Sequence, residues 1–342
     1  KISQKNLKFS YKKAPLIVAE ISGNHNGNKR RFLKLVHSAC KNGADLIKIQ
    51  SYEVKDITLE KKSKRLKIKK GIWKGKYLND LYKKACTPFD WHSDAFKIAK
   101  KYKKIIFSSP FSVRAVDFLE KLKVPIYKIA SFEITDYHLI EYIASKKKPI
   151  IISTGMASLN EIKNAIKIIE KYHRKIIILH CVSNYPTNLR DSNLKNITFL
   201  KKKFKRYSVG LSDHTNDIYS SIAAIPLGVS LIEKHFNIDD KKTEDSSFSI
   251  KPEMLKKLKE SSVDIFKSIN INSKIKLSKK NIKFRRSLFA KKRIKKNEKF
   301  SKENIISLRP KIGVCSSNYF KILGKISKKN INKDSPIFSN DY

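Results

Sequence analysis

Acidic residues are scarce in this chain: 30 Asp and Glu face 76 Lys and Arg, a formal net charge of +46 over 342 residues. Cysteine is scarcer. Cys40, Cys86, Cys181 and Cys315 form no CxxC pair and no zinc-ligand spacing, and Cys40 and Cys181 lie in apolar stretches as core residues would. Such usage fits a reducing, cytoplasmic setting. No run approaches the ~18–20 apolar residues of a membrane span, and no signal-peptide core opens the chain, so no membrane association is expected. The chain starts at Lys1 rather than Met, which leaves its true start open. No helix-turn-helix, zinc-finger or aromatic RNA-binding pattern accompanies the lysines, which are spread over the whole length. The charge therefore reads as a solvated, Lys-rich surface of compositional origin, with no nucleic-acid partner expected. The alternative is a polyanion-binding protein on an inactive scaffold. Either way, so strong a field steers phosphate-bearing molecules inward. No repeat of fixed period is visible.

What is present is a core: hydrophobic residues make up 40% of the chain, enough for a packed interior. Eight short β-rich runs recur at 16–22, 46–52, 105–109, 125–131, 149–154, 175–182, 207–214 and 230–236. Unbroken apolar stretches such as 150–152 and 176–179 suit parallel strands buried on both faces. Helical spacing separates them. At 31–41 it stops at Asn42-Gly43, and at 158–171 Ser158 with Glu161 forms a capping box. Strand and helix alternating eight times over ~250 residues predicts an α/β fold of the (β/α)8 TIM-barrel type. The rival, an open doubly wound sheet, is weakened because no glycine-rich dinucleotide turn follows the first run. A long connection at 52–105 predicts a lid or subdomain. Domain boundaries are expected at 1–265 for the barrel, 266–283 for a polar linker and 284–342 for a small second domain, with a turn at Lys295–Glu298.

In a barrel, the C-terminal ends of the strands carry the chemistry. Glu20 ends the first run; Lys48 and Gln50 sit in the second, Lys128 and Ser131 in the fourth. A lysine inside an apolar strand needs an anion, and two on separate strands favour a bound one over an internal pair. Small hydroxyls stand at five ends: Ser108 or Ser109, Ser131, Ser153, Ser183 and Ser212. Lysines with hydroxyls and backbone N–H groups suit phosphate; helix N-capping is the simpler role for any one serine. The last two runs end in Asp213-His214 and Glu233-Lys234-His235. Two imidazoles with open positions suit Mn, Fe, Co or Zn, or are a hydrogen-bonded pair. Phosphate, metal and carboxylate together suit an aldol-like addition, or equally phosphate-ester hydrolysis or isomerisation.

The runs IVAEISGNHNG (17–27), GADLIKIQSY (43–52), SSPF (108–111), YKIASFE (127–133), STGMAS (153–158), VGLSDHT (209–215) and IEKHF (232–236) resemble the sialic acid synthase family, in order and over nearly the whole chain. The segment from Arg285 to Arg309-Pro310 resembles the antifreeze-like (SAF) domain that ends such synthases. Within the family, 71–82, 87–92 and 244–250 resemble the pseudaminate branch; the N-acetylneuraminate and legionaminate branches are the alternatives. The resemblance implies condensation of phosphoenolpyruvate with an amino-sugar aldehyde, here 2,4-diacetamido-2,4,6-trideoxy-L-altrose, with loss of phosphate by C–O cleavage. It implies that Lys48, Ser109, Lys128, Ser131, Ser153, Ser183 and Ser212 hold phosphoenolpyruvate. His214 and His235 would bind a divalent metal (Mn2+, Mg2+ or Co2+), Glu233 would support that site, and Glu20 would act as base or orient water. Gln50, Tyr185 and Asp245 would line the sugar pocket, and Arg309 would reach the barrel of a partner subunit in a domain-swapped homodimer. Val182 stands where the family usually has Thr, His180 resembles the neuraminate branch, and 309–317 lacks the Gly-rich look of many relatives.

Overall fold

The computed structural model describes residues 11–270 and 279–342. The chain divides into two compact units, 1–271 and 272–342. In the first, eight parallel strands close into a barrel in sequential order: β1 (Leu16–Glu20), β2 (Leu46–Ser51), β3 (Ile105–Pro110), β4 (Tyr127–Ile129), β5 (Ile150–Ser153), β6 (Ile176–Cys181), β7 (Ser208–Asp213) and β8 (Leu231–His235). Each begins and ends within two residues of its apolar run in the sequence. β5 is buried at all four positions, as a strand with side chains on one face and helices on the other must be.

Helices cover the outside. The Lys29–Lys41 helix buries Phe32, Leu35, Val36, Ala39 and Cys40, a stripe at 3–4 residue spacing. The Leu159–Glu170 helix opens with the expected capping box, Ser158 and Glu161 each bonding the other's backbone. The Pro252–Ile269 helix runs further than composition suggested. Residues 266–269, assigned to the linker, are helical because half-buried Ile265 still packs on the core in a polar stretch. Residues 271–278 of that linker lie outside the described residues, and Lys279–Phe284 forms a 3-10 turn.

The second unit pairs β9 (Ser287–Ala290) with β10 (Ile305–Leu308), antiparallel. Leu288, Ala290, Ile294, Phe300, Ile305, Ile322, Ile331 and Ile337 form its own small core. Asn297 takes φ +70° in the turn expected at Lys295–Glu298. Among the described residues, no helix is long and apolar enough to cross a membrane.

Candidate active site

Strand register gathers charge at one end of the barrel. Glu20 is level with Lys48 on one side and His235 on the other, and Ser212 is level with Glu233. Lys48 Nζ lies 2.7 Å from Glu233 Oε1 and 3.1 Å from Glu20 Oε2, and all three side chains are buried. Burial lowers Lys48 to about 8 against the pull of Glu233. Burial also opposes the charge on Glu233, yet Lys48 and Lys128 outweigh it and hold that carboxyl near about 2. Lys48 is thus committed to an internal pair, contrary to the inference from two strand lysines. Its partner Glu233 lies 185 residues away.

Lys128 differs. It is 1% exposed, donates to Ile129 O at 3.0 Å, and among the described residues has no ion-pair partner. Two of the expected hydroxyls, Ser109 Oγ and Ser153 Oγ, are buried with no hydrogen-bond partner, a condition that costs roughly 1–3 kcal/mol per group until a ligand meets it. Ser108, by contrast, is spent on Ile49 O at 3.0 Å and Ser51 Oγ at 2.6 Å, so Ser109 is the free one of the pair. Ser131 Oγ accepts from Gly155 N at 3.1 Å. A Cβ on Gly155 would stand 2.0 Å from Ser183 Oγ and 2.9 Å from Ser131 Oγ, so glycine is what lets those two hydroxyls converge. Ser212 Oγ donates to Glu233 Oε1 at 3.2 Å.

His214 and His235 stand with ring centroids 5.3 Å apart. His214 Nδ1 donates to Val182 O at 2.8 Å, which leaves Nε2 free. Burial, then the nearby His214, keeps His235 well below its usual range and neutral, and its Nδ1 has no hydrogen-bond partner. Among the described residues no three His, Cys, Asp or Glu side chains are grouped to hold an ion. What the site offers an ion is two imidazole nitrogens, His214 Nε2 and His235 Nδ1, the latter buried without a partner. Cys181 is buried as expected, but at this end of β6, with Sγ 3.9 Å from His214 Nδ1. Tyr185 packs on His214 at 4.3 Å and Phe248 on His235 at 4.8 Å.

Gln50 Nε2 bridges Glu20 Oε1 at 3.1 Å and Ser22 Oγ at 3.0 Å. The Asp245 carboxylate takes the Ser22 hydroxyl and Gly23 N and stands 4.0 Å from His235 Nδ1. Burial raises Asp245. Asp245 thus fastens the β8 loop to the β1 loop, a bond across 223 residues that its sequence position does not announce. Arg309 is exposed in the second unit, just past β10.

Three side chains here escaped sequence reasoning. Glu133 follows β4 in a short 3-10 turn. Burial raises it to about 7 despite Lys128, and Oε2 has no partner. Its signal was available: a carboxylate just past a strand end, as in Glu20. Trp73 and Glu244 lie in the segments 71–82 and 244–250 set apart in the sequence, but a loop indole and a loop carboxylate reveal their contacts only in three dimensions. The Trp73 ring lies 5.7 Å from Tyr185, and its Nε1 donates to Glu244 O at 3.0 Å.

Comparison with known proteins bears on the family and the fold. Residues 35–274 match the NeuB family and residues 285–342 the SAF domain. The chain is 40% identical over 339 residues to a pseudaminic acid synthase of Campylobacter jejuni, covering 98% of both. It is 38% identical over 332 residues to an N,N'-diacetyllegionaminic acid synthase of the same organism, covering 95% of this chain and 99% of that one. The crystal structure of an N-acetylneuraminic acid synthetase from Leptospira borgpetersenii, in complex with citrate, superposes with a TM-score of 0.73. It has 30% identity, over 82% of this chain and 93% of that one.

Proposed function

The chain belongs to the NeuB family, and on that footing we propose that it is a transferase making pseudaminic acid. It condenses phosphoenolpyruvate with 2,4-diacetamido-2,4,6-trideoxy-L-altrose, and phosphate leaves by C–O cleavage. The observation that carries this reading is the mouth itself. An unpaired buried lysine, Lys128, and two partnerless seryl hydroxyls, Ser109 and Ser153, share one barrel end with two adjacent imidazoles. Such a site is poised for a phosphorylated anion beside a polarisable carbonyl.

Lys128, Ser109, Ser131, Ser153 and Ser183 hold the phosphoenolpyruvate, with the Gly155 N–H orienting Ser131. Lys48 and Ser212 act more through Glu233 than on the ligand, since both already bond it. His214 and His235 would hold a divalent ion, Mn2+, Mg2+ or Co2+, which would supply Lewis acidity at the aldehyde oxygen. C3 of phosphoenolpyruvate bonds to the aldehyde carbon, water adds to the cationic C2, and the C2–O bond to phosphate breaks; of the water's two protons one ends on the former aldehyde oxygen and the other on the departing phosphate. Glu20, fixed by Gln50 and Lys48, orients the water. Glu133, close to half-protonated at neutral pH, takes or returns its proton. Tyr185 lines the sugar side, and Arg309 of a second subunit completes it in a swapped homodimer that works in the cytoplasm.

The test is phosphate release from phosphoenolpyruvate with Mn2+, comparing the 6-deoxy diacetamido altrose with N-acetylmannosamine. Release with the altrose derivative alone, abolished by EDTA, is the expected outcome. Release with N-acetylmannosamine instead would move the chain to another branch, and full activity in EDTA would remove the ion from the reaction.

A further inference from the structure

Two segments that sequence reading set apart, 71–82 and 244–250, meet at the mouth. The first belongs to the long excursion between β2 and β3. There residues 68 and 76 close a turn, Ile68 N donating to Lys76 O and Gly75 N to Ile68 O, both at 2.9 Å. Gly71 and Gly75 take φ of +81° and +89°, values that a side-chain-bearing residue adopts only under strain. Trp73 sits between them at the tip, half-buried. Its ring lies 5.7 Å from Tyr185 and 6.2 Å from Phe248, so it closes a file of rings that begins at the two imidazoles.

The indole is held in place by the second segment. Trp73 Nε1 donates to Glu244 O at 3.0 Å. The Glu244 carboxylate, only 3% exposed, is gripped by Lys76 at 2.5 Å and Lys84 at 3.0 Å. The next residue, Asp245, is bonded to the β1 loop. Two adjacent carboxylates thus tie the tip of the excursion to the floor of the site. A buried, doubly paired carboxylate is a costly device for a loop with no task.

We propose that Trp73 is a specificity-determining residue for the sugar, with Glu244 as the positioning residue that aims it. The inference rests on the synthase reading above and deepens it. The aldehyde carbon reacts beside the imidazoles, and Trp73 stands one ring beyond Tyr185. The indole therefore meets the end of the sugar remote from the aldehyde. In the proposed substrate that end carries an acetamido methyl at C4 and a methyl at C6, both apolar. In N-acetylmannosamine the same positions carry hydroxyls. A flat apolar ring rewards the first and strands the second without partners.

Steady-state kinetics on the full-length wild type, Trp73→Phe, Trp73→Ala and Glu244→Gln decide it. Trp73→Ala is expected to raise the KM for the altrose derivative on the order of tenfold or more, because the whole apolar ring that meets the sugar is removed. The KM for phosphoenolpyruvate should stay unchanged, Trp73→Phe should restore most of the loss, and Glu244→Gln should fall between. The chain has two tryptophans, so a direct readout is available. The alditol of the sugar, which lacks the aldehyde and cannot react, should change the fluorescence of wild type but not of Trp73→Phe. An unchanged sugar KM in Trp73→Ala, or a KM for phosphoenolpyruvate that rises in step with it, overturns the proposal. A wild-type protein that ignores the altrose derivative overturns the pseudaminate reading instead, and the Trp73 assignment with it.

Discussion

Lys48 and Lys128 look alike in the sequence, each a lone lysine in an apolar strand, yet they do different work. Lys48 is neutralised from within by Glu20 and Glu233, whereas Lys128 has only a carbonyl at 3.0 Å. A charge-assisted bond is worth roughly 1.5–3 kcal/mol, so Lys128→Ala should raise the KM for phosphoenolpyruvate ten- to hundredfold. The melting temperature should hold, since no internal pair is broken. Lys48→Ala should instead lower the melting temperature, because it strands two buried carboxylates. Calorimetry alongside kinetics separates the two; a KM unmoved by Lys128→Ala would remove that residue from the phosphate site. The sequence supplied the residue types and their strand-end positions. It could not supply this division of labour, which depends on a register joining residues far apart in the chain.

Elements were the more legible level, because alternation of apolar runs with helical spacing is a local property. All eight strands of the barrel, and the capping box at Ser158, were visible in the chain. What escaped was how loops reach across it, and two predictions belong there. At the end of β5, Gly155 leaves room for Ser183 and Ser131. Gly155→Ala would meet first a rotatable hydroxyl, so the fold should survive while Ser183 is turned from the site. A several-fold or larger rise in the KM for phosphoenolpyruvate, with an unchanged melting temperature, is expected; unaltered kinetics would show that Ser183 is no ligand. The excursion between β2 and β3 is stapled by His25 on Thr87 Oγ1 at 3.1 Å and His92 on Ser51 Oγ at 2.7 Å. Burial lowers both imidazoles from 6.5 to about 4. The folded state thus takes up their protons later than the unfolded chain does. Their contribution is complete above pH about 6.5 and drains away as the pH falls towards about 4, by an amount on the order of 3 kcal/mol per group. Urea midpoints should drop between pH 7 and 5, and less steeply in His25→Gln and His92→Gln. Slopes identical to wild type would place the titrating groups elsewhere.

At the scale of the whole molecule the two units have separate cores, so the barrel does not need the second unit to bury its interior. What the second unit adds must then lie at its surface, where Arg309 is exposed beside exposed Leu308 and Ile312. An arginine among apolar residues suits a contact that is covered on assembly, and a two-fold homodimer is the commonest assembly. If Arg309 serves the partner's barrel, sites can be rebuilt from two defective chains. Lys128→Ala keeps its arginine but loses its phosphate site; Arg309→Ala keeps its barrel but loses the arginine. Co-expressed at equal levels, they should recover roughly a quarter of wild-type turnover, because half the dimers are mixed and each has one whole site. Assayed with phosphoenolpyruvate near the wild-type KM, where a ten- to hundredfold higher KM leaves little turnover, either variant alone should stay near background. No recovery in dimers verified as mixed would mean that each chain supplies its own Arg309, and the swapped arrangement would fall while the barrel chemistry stood.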